Sequence, residues 1–215
     1  MISTKLIIFL AVGTVLMWLP MVVMATWYKI RIWKTIPTAI LLTIFGTVGT
    51  YIWYFLENRG VGRSFYGAVF LVPVFFLAIS KILKISYGNL LDLCAPAECV
   101  MLSIMKIQCY VDGCCGGIKL FTTANGIAVF FPSQIVELIN AILIFVVLLL
   151  LARQERNRKA IYPWYLIIYG SSRFVLNFFR AGISLFWGLS IGSIWSLCAM
   201  SFGFIALFIM KKEKK

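Results

Sequence analysis

Seven long apolar stretches follow one another along the chain, separated by short segments that hold most of its charged residues. The apolar runs are continuous, whereas the strands of a membrane barrel alternate apolar and polar positions, so the pattern predicts helices. Each run is about 20 residues long, which is enough to cross a bilayer as a helix. The predicted spans are Leu6–Tyr28, Thr35–Leu56, Ser64 to about Lys84, Leu90–Val111, Ser133–Ala152, Ala160–Phe179 and about Leu185–Met210.

The composition makes a bilayer the expected solvent for this chain. Apolar residues make up 62% of its 215 positions, whereas an ordinary soluble domain holds about half. The first stretch is interpreted as a retained span, because it is long and lacks the A-x-A cleavage signal of a secretory leader. We therefore expect an all-α fold, a single polytopic transmembrane domain over residues 1–215 without internal repeats.

The basic residues are distributed unequally between the two sets of loops. Thirteen fall in one set and five in the other, so the positive-inside rule predicts an outer N-terminus and a cytoplasmic C-terminus. The net charge of +13 is interpreted as topology and as affinity for anionic lipid head groups rather than for nucleic acid. The first set is Lys29, Arg31, Lys34, Lys81, Lys84, Arg153, Arg156, Arg158, Lys159, Lys211, Lys212, Lys214 and Lys215, and the second is Lys5, Arg59, Arg63, Lys119 and Arg180.

Several polar residues fall inside predicted spans, at a similar depth toward the outer surface. Polar groups in membrane helices are expensive and are functional candidates by default. Arg173 and Arg180 are seven residues apart and share one helix face, with Tyr169 on the same stripe. Two inward-facing arginines near a lysine favour a phosphate ligand, because the guanidinium fork matches phosphate oxygens. The group comprises Tyr66, Lys106, Gln134, Glu137, Tyr169, Arg173 and Arg180.

Each of these residues also has a structural interpretation. Arg173 could pair with Glu98 or Glu137 and hold the bundle together. Lys106 and Arg180 could extend to the interface with their charges in water, and residues at the start of the fifth span could interact with the helix dipole. Their common depth favours a shared site.

At this point five segments, in one order, resemble the bacterial prolipoprotein diacylglyceryl transferases. The resemblance runs from about Gly62 to Arg180, and the predicted seven-span layout agrees with it. Its most specific parts are P-S-Q-x-x-E and Y-G-x-x-R-x-x-x-N-x-x-R. The segments are Ser64-Phe65-Tyr66-Gly67, Asp92…Ala95-Pro96, Lys106…Asp112-Gly113, Pro132-Ser133-Gln134…Glu137 and Tyr169-Gly170…Arg173…Asn177…Arg180.

The resemblance implies an enzyme of the bacterial cytoplasmic membrane whose site faces the outer leaflet. Such enzymes move a diacylglyceryl group from phosphatidylglycerol to the lipobox cysteine of a prolipoprotein. It implies catalytic roles for Tyr66, Lys106 and Arg173. It also implies a substrate-binding set, and it calls for no cofactor, no metal and no nucleic acid. The substrate-binding set is Gln134, Glu137, Tyr169, Asn177, Arg180, Asp112 and Gly113.

The sequence departs from the family pattern at several of these positions. Tyr66 replaces the histidine of an S-F-H-G motif, and Lys106 replaces an arginine. Cys109 and Asn177 stand where the family has an asparagine and a glutamate, and Asp112-Gly113-Cys114 replaces N-G-E. Lysine keeps the charge without the fork, and tyrosine, with a reference pKa near 10, is a weak base. A non-catalytic lipid-binding or maturation partner on the same scaffold is therefore an alternative.

Three of the six cysteines cluster after the fourth span, on the predicted outer side. Cys109 and Cys114 could form a disulfide, or one thiolate could take part in the chemistry. A zinc site would need Asp112 as a fourth ligand, because the sequence has no histidine. The plainest interpretation is three reduced, packed thiols, and Cys94, Cys99 and Cys198 are expected to be helix-packing residues.

A transporter for an anionic solute is a third hypothesis. Such a protein would favour internal inverted repeats and broken helices at the bilayer midplane. The sequence shows no such repeat, and its polar layer lies outward of the centre, so this hypothesis is the least favoured.

Overall fold

The computed structural model describes residues 4–58, 60, 62–123, 126–180 and 189–213. Within them lie seven long helices in the order and near the positions that the apolar pattern predicts. Short 3₁₀ turns precede α2 and follow α5, at Ile32–Lys34 and Glu155–Asn157. The long helices are α1 Thr4–Trp27, α2 Thr35–Asn58, α3 Tyr66–Leu83, α4 Tyr87–Val111, α5 Ser133–Arg153, α6 Ile161–Asn177 and α7 Ile191–Glu213.

Five of these helices, α1, α2, α3, α5 and α7, are long and apolar enough to cross a membrane. The chain is therefore an all-α membrane protein. The other two long helices, α4 and α6, do not meet this description. Helix α4 includes the charged residues Asp92, Glu98 and Lys106, and α6 has only 17 residues. Both lie in the interior of the bundle, where 14 of the 25 residues of α4 are buried. Charged side chains are tolerated there because they face protein instead of lipid.

Two details differ from the expectation. A short antiparallel hairpin, β1 Lys119–Thr122 with β2 Ala128–Phe130, lies between α4 and α5, where the sequence analysis predicted only a loop. Its strands, of four and three residues, are too short to show a clear alternation of apolar and polar positions in the sequence. The last helix begins at Ile191 rather than about Leu185; Leu189 and Ser190 precede it, and residues 185–188 lie outside the described residues.

A proline in α3 links that helix to α6. Pro73 has no backbone N–H, so it leaves the carbonyl of Val69, four residues earlier, without its helical partner. The Tyr162 hydroxyl donates to that carbonyl at 2.8 Å, and the Tyr87 hydroxyl donates to the carbonyl of Pro73 at 3.0 Å. In a lipid environment such groups must be satisfied within the protein, so these tyrosines fix α4 and α6 against α3.

At one end of the bundle, Asp92 of α4 caps the start of α6. Its carboxylate accepts the backbone N–H groups of Lys159 at 2.5 Å, Ile161 at 3.0 Å and Tyr162 at 3.3 Å, together with the Tyr28 hydroxyl at 2.9 Å. A carboxylate is favourable at a helix N-terminus, where N–H groups lack helical acceptors. Asp92 therefore has a structural role at the end of the bundle opposite the candidate site.

Candidate functional site

A cleft of about 720 Å³ opens at the end of the bundle where α4 and α6 finish and α3 and α7 begin. It combines charged, phenolic and thiol groups with apolar side chains. Such a mixture suits an amphiphilic ligand with a polar head. Its lining residues are Tyr54, Glu57, Asn58, Gly62, Arg63, Ser64, Phe65, Tyr66, Leu102, Met105, Lys106, Cys109, Cys114, Cys115, Ile118, Tyr169, Arg173, Asn177, Phe178, Arg180, Ser190, Ile191, Gly192 and Ser193.

Three cations of this cleft share one carboxylate, that of Glu137. Lys106 of α4 and Arg173 of α6 are in ion-pair contact with it, and Arg180 Nε lies 3.6 Å from its Oε1. Glu137 is 4% exposed and lies behind the cations instead of lining the cleft. Three cations against one carboxylate leave an excess of two positive charges at the cleft wall, which favours an anion.

These contacts decide between the interpretations that the sequence left open. Arg173 pairs with Glu137, and Glu98 has no hydrogen-bond partner for either carboxylate oxygen among the described residues. Lys106 is buried against Glu137 instead of extending to the interface. The Nε–H of Arg173 has no acceptor among the described residues.

Tyr66 lies at the start of α3 and lines the cleft. Its hydroxyl contacts the carbonyl oxygen of Gly192 at 2.8 Å and the Ser196 hydroxyl at 2.6 Å, both in α7. Asn177 donates to the same serine oxygen at 3.4 Å. The Tyr169 ring is 6.1 Å from that of Tyr66, centroid to centroid. Four predicted residues, Tyr66, Tyr169, Asn177 and Arg173, thus line the cleft.

Three other predicted site residues do not line the cleft. Gln134 donates a hydrogen bond to the backbone carbonyl of Cys114 at 2.6 Å. Asp112 lies 4.0 Å from Lys5 and accepts a hydrogen bond from Gln108 at 3.3 Å. Gly113 occupies a left-handed turn with φ of 65° and nothing within 4 Å of an added Cβ. These residues shape the loop beside the cleft.

The three cysteines near this loop lie together. The Sγ atoms of Cys109, Cys114 and Cys115 are all within 4.8 Å of one another, and all three residues line the cleft as free thiols. A hydrogen bond with Cys109, helped by the nearby charge of Lys106, lowers the pKa of Cys115 to about 5. Elsewhere, Cys94 and Cys99 are buried, as expected for packing residues, and Cys198 is partly buried.

Two residues of the site were missed by the sequence analysis: Arg63, which lines the cleft, and Ser196, which contacts Tyr66. Ser196 holds both Tyr66 and Asn177, but a single serine in an apolar helix gives no signal by itself. Arg63 was counted only as a loop charge, although it lines the cleft and lies within 3.4 Å of the Gln108 amide oxygen. Arg63 lies two residues before Phe65, next to one of the segments that resemble the family, and this position was the one feature that could have indicated a role in the cleft.

The comparison with known families matches nearly the whole chain. A family model described as prolipoprotein diacylglyceryl transferase matches residues 6–209. The chain belongs to this family. The match includes every predicted site residue and all three cysteines of the cleft, so the prolipoprotein diacylglyceryl transferase fold underlies the site described above.

The sequence identity between this chain and individual members of the prolipoprotein diacylglyceryl transferase family is low. The phosphatidylglycerol–prolipoprotein diacylglyceryl transferase of Geobacter sulfurreducens is 26% identical over 165 residues, which cover 71% of this chain and 63% of that protein. The protein of the same name from Campylobacter curvus is 31% identical over 168 residues, covering 71% and 59%. The chain therefore spans about three fifths of the length of these curated relatives.

Proposed function

We propose that this protein transfers the diacylglyceryl group of phosphatidylglycerol to the lipobox cysteine thiol of a prolipoprotein. The names of its relatives and the cationic cleft support this activity. We further propose seven spans in a bacterial cytoplasmic membrane, with the N-terminus outside, the C-terminus inside and the cleft facing the outer leaflet. The loop charges support that orientation.

The observation that carries the proposal is the group of three cations around Glu137. Phosphatidylglycerol has one anionic phosphodiester between its two glycerol units. The excess positive charge of Lys106, Arg173 and Arg180, which all line the cleft, suits that group. Because Glu137 holds these side chains in place before a ligand arrives, little reorganisation is needed on binding.

The apolar part of the cleft suits the rest of the lipid. Phe65, Leu102, Met105, Phe178 and Ile191 line it beside the cations. The buried cations and this apolar wall lie on the same cavity, so a diacylglycerol unit can rest on the wall with its phosphate against the basic residues. A lipid held in this way presents the glycerol carbon next to the phosphate for attack.

The reaction itself is a substitution at that carbon. The acceptor thiolate forms a carbon–sulfur bond, the carbon–oxygen bond to the phosphate breaks, and glycerol phosphate leaves with the electron pair. Negative charge grows on the departing phosphate oxygen, and Arg173 and Arg180 stabilise it through charge-assisted hydrogen bonds. Lys106 contributes charge without a bidentate fork.

The proposal is tested in bacteria depleted of their own transferase. The chain is expressed there with a reporter prolipoprotein, whose mass is measured after membrane extraction. The expected result is a gain of one diacylglyceryl group, lost with Arg173→Ala and retained with Arg153→Ala. The second arginine is an exposed residue at the opposite end of the bundle. An unmodified reporter, with the chain present and folded in the membrane, would contradict the proposal.

One observation favours the alternative of lipid binding without turnover. The Tyr66 hydroxyl, at the position of the family's histidine, is already engaged by Gly192 and Ser196. A hydroxyl that donates to a backbone carbonyl is not a free proton acceptor. If this alternative holds, phosphatidylglycerol copurifies with the protein and is lost with Arg173→Ala, while the reporter stays unmodified.

A further inference from the structure

The three clustered thiols of the cleft have the spacing of a metal site. Cys109 lies near the end of α4, three residues after Lys106 and on the same helix face. Cys114 and Cys115 follow in the turn that leaves α4, and the three Sγ atoms lie within 4.8 Å of one another. Zinc–thiolate bonds of about 2.3 Å place tetrahedral sulfur ligands roughly 3.8 Å apart, so small side-chain shifts suffice to hold an ion.

The loop that brings the thiols together is held by α5. Ser133 donates from its hydroxyl to the carbonyl of Cys115 at 2.6 Å, and Gln134 donates from its amide to the carbonyl of Cys114 at 2.6 Å. The backbone N–H of Cys114 also donates to the carbonyl of Cys109 at 3.0 Å. The loop is thus fixed at both vicinal cysteines before any ion binds, as outer partners fix the ligands of metal sites.

The geometry gives three ligands and leaves a fourth position open. The sequence analysis needed Asp112 to complete a zinc site, but that carboxylate is directed to Lys5 and Gln108 and is not part of the thiol cluster. All three cysteines line the cleft. Three protein ligands with a fourth position facing a cavity is the arrangement of a catalytic zinc site, whereas structural sites have four protein ligands.

We propose that Cys109, Cys114 and Cys115 bind a thiophilic divalent cation of the zinc type, whose open position takes the thiol of the acceptor cysteine. The inference rests on the proposed function. A thiol coordinated to such an ion is deprotonated, and its proton passes to water at the cleft mouth. The bound thiolate sulfur then forms the bond to the glycerol carbon, and glycerol phosphate leaves with the electrons of the broken carbon–oxygen bond.

Activation of the thiol by a metal ion depends neither on a histidine nor on Tyr66. The sequence contains no histidine, and the Tyr66 hydroxyl is engaged by α7. An ion at the thiol cluster generates the nucleophile without a side-chain base. Three protein thiolates, the acceptor thiolate and one divalent ion have a net charge of −2, which the two excess positive charges of Lys106, Arg173 and Arg180 offset. The nucleophile and the phosphate-binding cations then line one cavity.

Metal binding is tested separately from activity. The full chain is purified in detergent under a thiol reductant, loaded with Zn²⁺ or Co²⁺, and desalted, and its metal content is measured. About one equivalent of Zn²⁺ per chain is expected, together with the absorption of a thiolate-bound tetrahedral Co²⁺. Cys198→Ser, a thiol in α7 outside the cleft, is the matched control and retains both signals.

The cleft thiols are replaced singly and together. Cys109→Ser and Cys115→Ser are expected to weaken zinc affinity by at least ~10-fold, since even outer-partner losses have effects of that size. Size-exclusion chromatography before loading identifies any variant that fails to fold, and Cys114→Ser, at the exposed thiol, is the mildest change. Equal zinc retention by the wild type and the triple-serine protein would overturn the site.

The role of the metal ion in transfer is measured in an assay with a lipobox peptide and phosphatidylglycerol as substrates. Chelation is expected to abolish transfer and Zn²⁺ to restore it in the wild type and in Cys198→Ser. If chelated and triple-serine proteins transfer as fast as the untreated wild type, thiol activation by a metal is wrong and the proposed function stands. If zinc binds but no form transfers, the proposed function and this role fail together, while the metal site itself is confirmed.

Discussion

Glu137 in α5 and Arg173 in α6 form an ion pair inside the bundle, where the two side chains are 4% and 10% exposed. The same carboxylate also contacts Lys106 and Arg180. This one glutamate therefore joins α4, α6 and the segment after α6 at the cleft, and it balances cations that would otherwise repel one another. Glu137 holds the basic residues together, and those residues line the cleft.

Removing the negative charge of Glu137 should destabilise the protein. Glu137→Gln keeps the size of the side chain but leaves Lys106 and Arg173 buried without a counter-charge, and loss of one partner of a buried pair costs about 3–5 kcal/mol. We expect a lower free energy of unfolding in detergent. Glu155→Gln, in an exposed pair with Arg158, should cost less than ~1 kcal/mol. Equal effects of the two changes would show that the buried cluster contributes no more than a surface pair.

The close approach of α2 and α3 gives a second prediction. A Cβ added to Gly67 would overlap the carbonyl oxygen of Gly49, whereas one added to Gly46, on the same helix pair, would lie 3.9 Å from the Cβ of Ala68. Gly67→Ala should therefore cost roughly 1–3 kcal/mol through overpacking. Gly46→Ala should be neutral or slightly stabilising, because alanine is the better helix former. Thermal unfolding of both variants checks this, and equal stability would contradict the packing described for α2 and α3.

The cap on α6 gives a third prediction. Asp92→Asn removes the charge that accepts three backbone N–H groups and directs amide hydrogens toward some of them. Hydrogen bonds to charged groups contribute about 1.5–3 kcal/mol each, so the loss should be at least ~2 kcal/mol. Asp112→Asn, at a partly exposed residue, is the control and should change stability by less than ~1 kcal/mol. The measurement is unfolding in detergent, and a harmless Asp92→Asn would refute the cap.

The proposed orientation predicts which residues a membrane-impermeant thiol reagent reaches. All six cysteines are replaced by serine, and one cysteine is then kept at position 114 or introduced by Arg156→Cys; both positions are exposed. Cys114 should react in intact cells, and the cysteine at 156 only after the membrane is permeabilised. The reverse pattern would place the cleft on the cytoplasmic side.

Much of the fold could be predicted because lipid leaves few alternatives to a helix. The seven apolar stretches coincide with the helices to within a few residues at most ends. The common depth of Lys106, Glu137 and Arg173 could also be predicted, since position along a span fixes height in the bundle, and their side chains do lie together. Helical phase placed Tyr169 on the stripe of Arg173, and both line the cleft.

The remaining features depend on tertiary contacts that no local pattern encodes. Gln134 follows Ser133 at the start of α5, but its acceptor is the carbonyl of Cys114, twenty residues away. The partner of Tyr66, Ser196, is separated from it by 130 residues. The hairpin between α4 and α5 is held by β1–β2 pairing and by the N–H of Ile118, which donates to the carbonyl of Phe179. Such pairings become visible only when the helices are assembled.

Transfer of the diacylglyceryl group can be measured with purified protein. The chain is reconstituted in phosphatidylglycerol nanodiscs with a synthetic lipobox peptide, and the peptide mass and released glycerol phosphate are measured together. We expect a diacylglyceryl thioether and one glycerol phosphate per modified peptide, with neither product from Arg173→Ala or from a peptide whose cysteine is replaced by serine. An unmodified peptide with the folded wild-type chain, or equal transfer by Arg173→Ala, would contradict it.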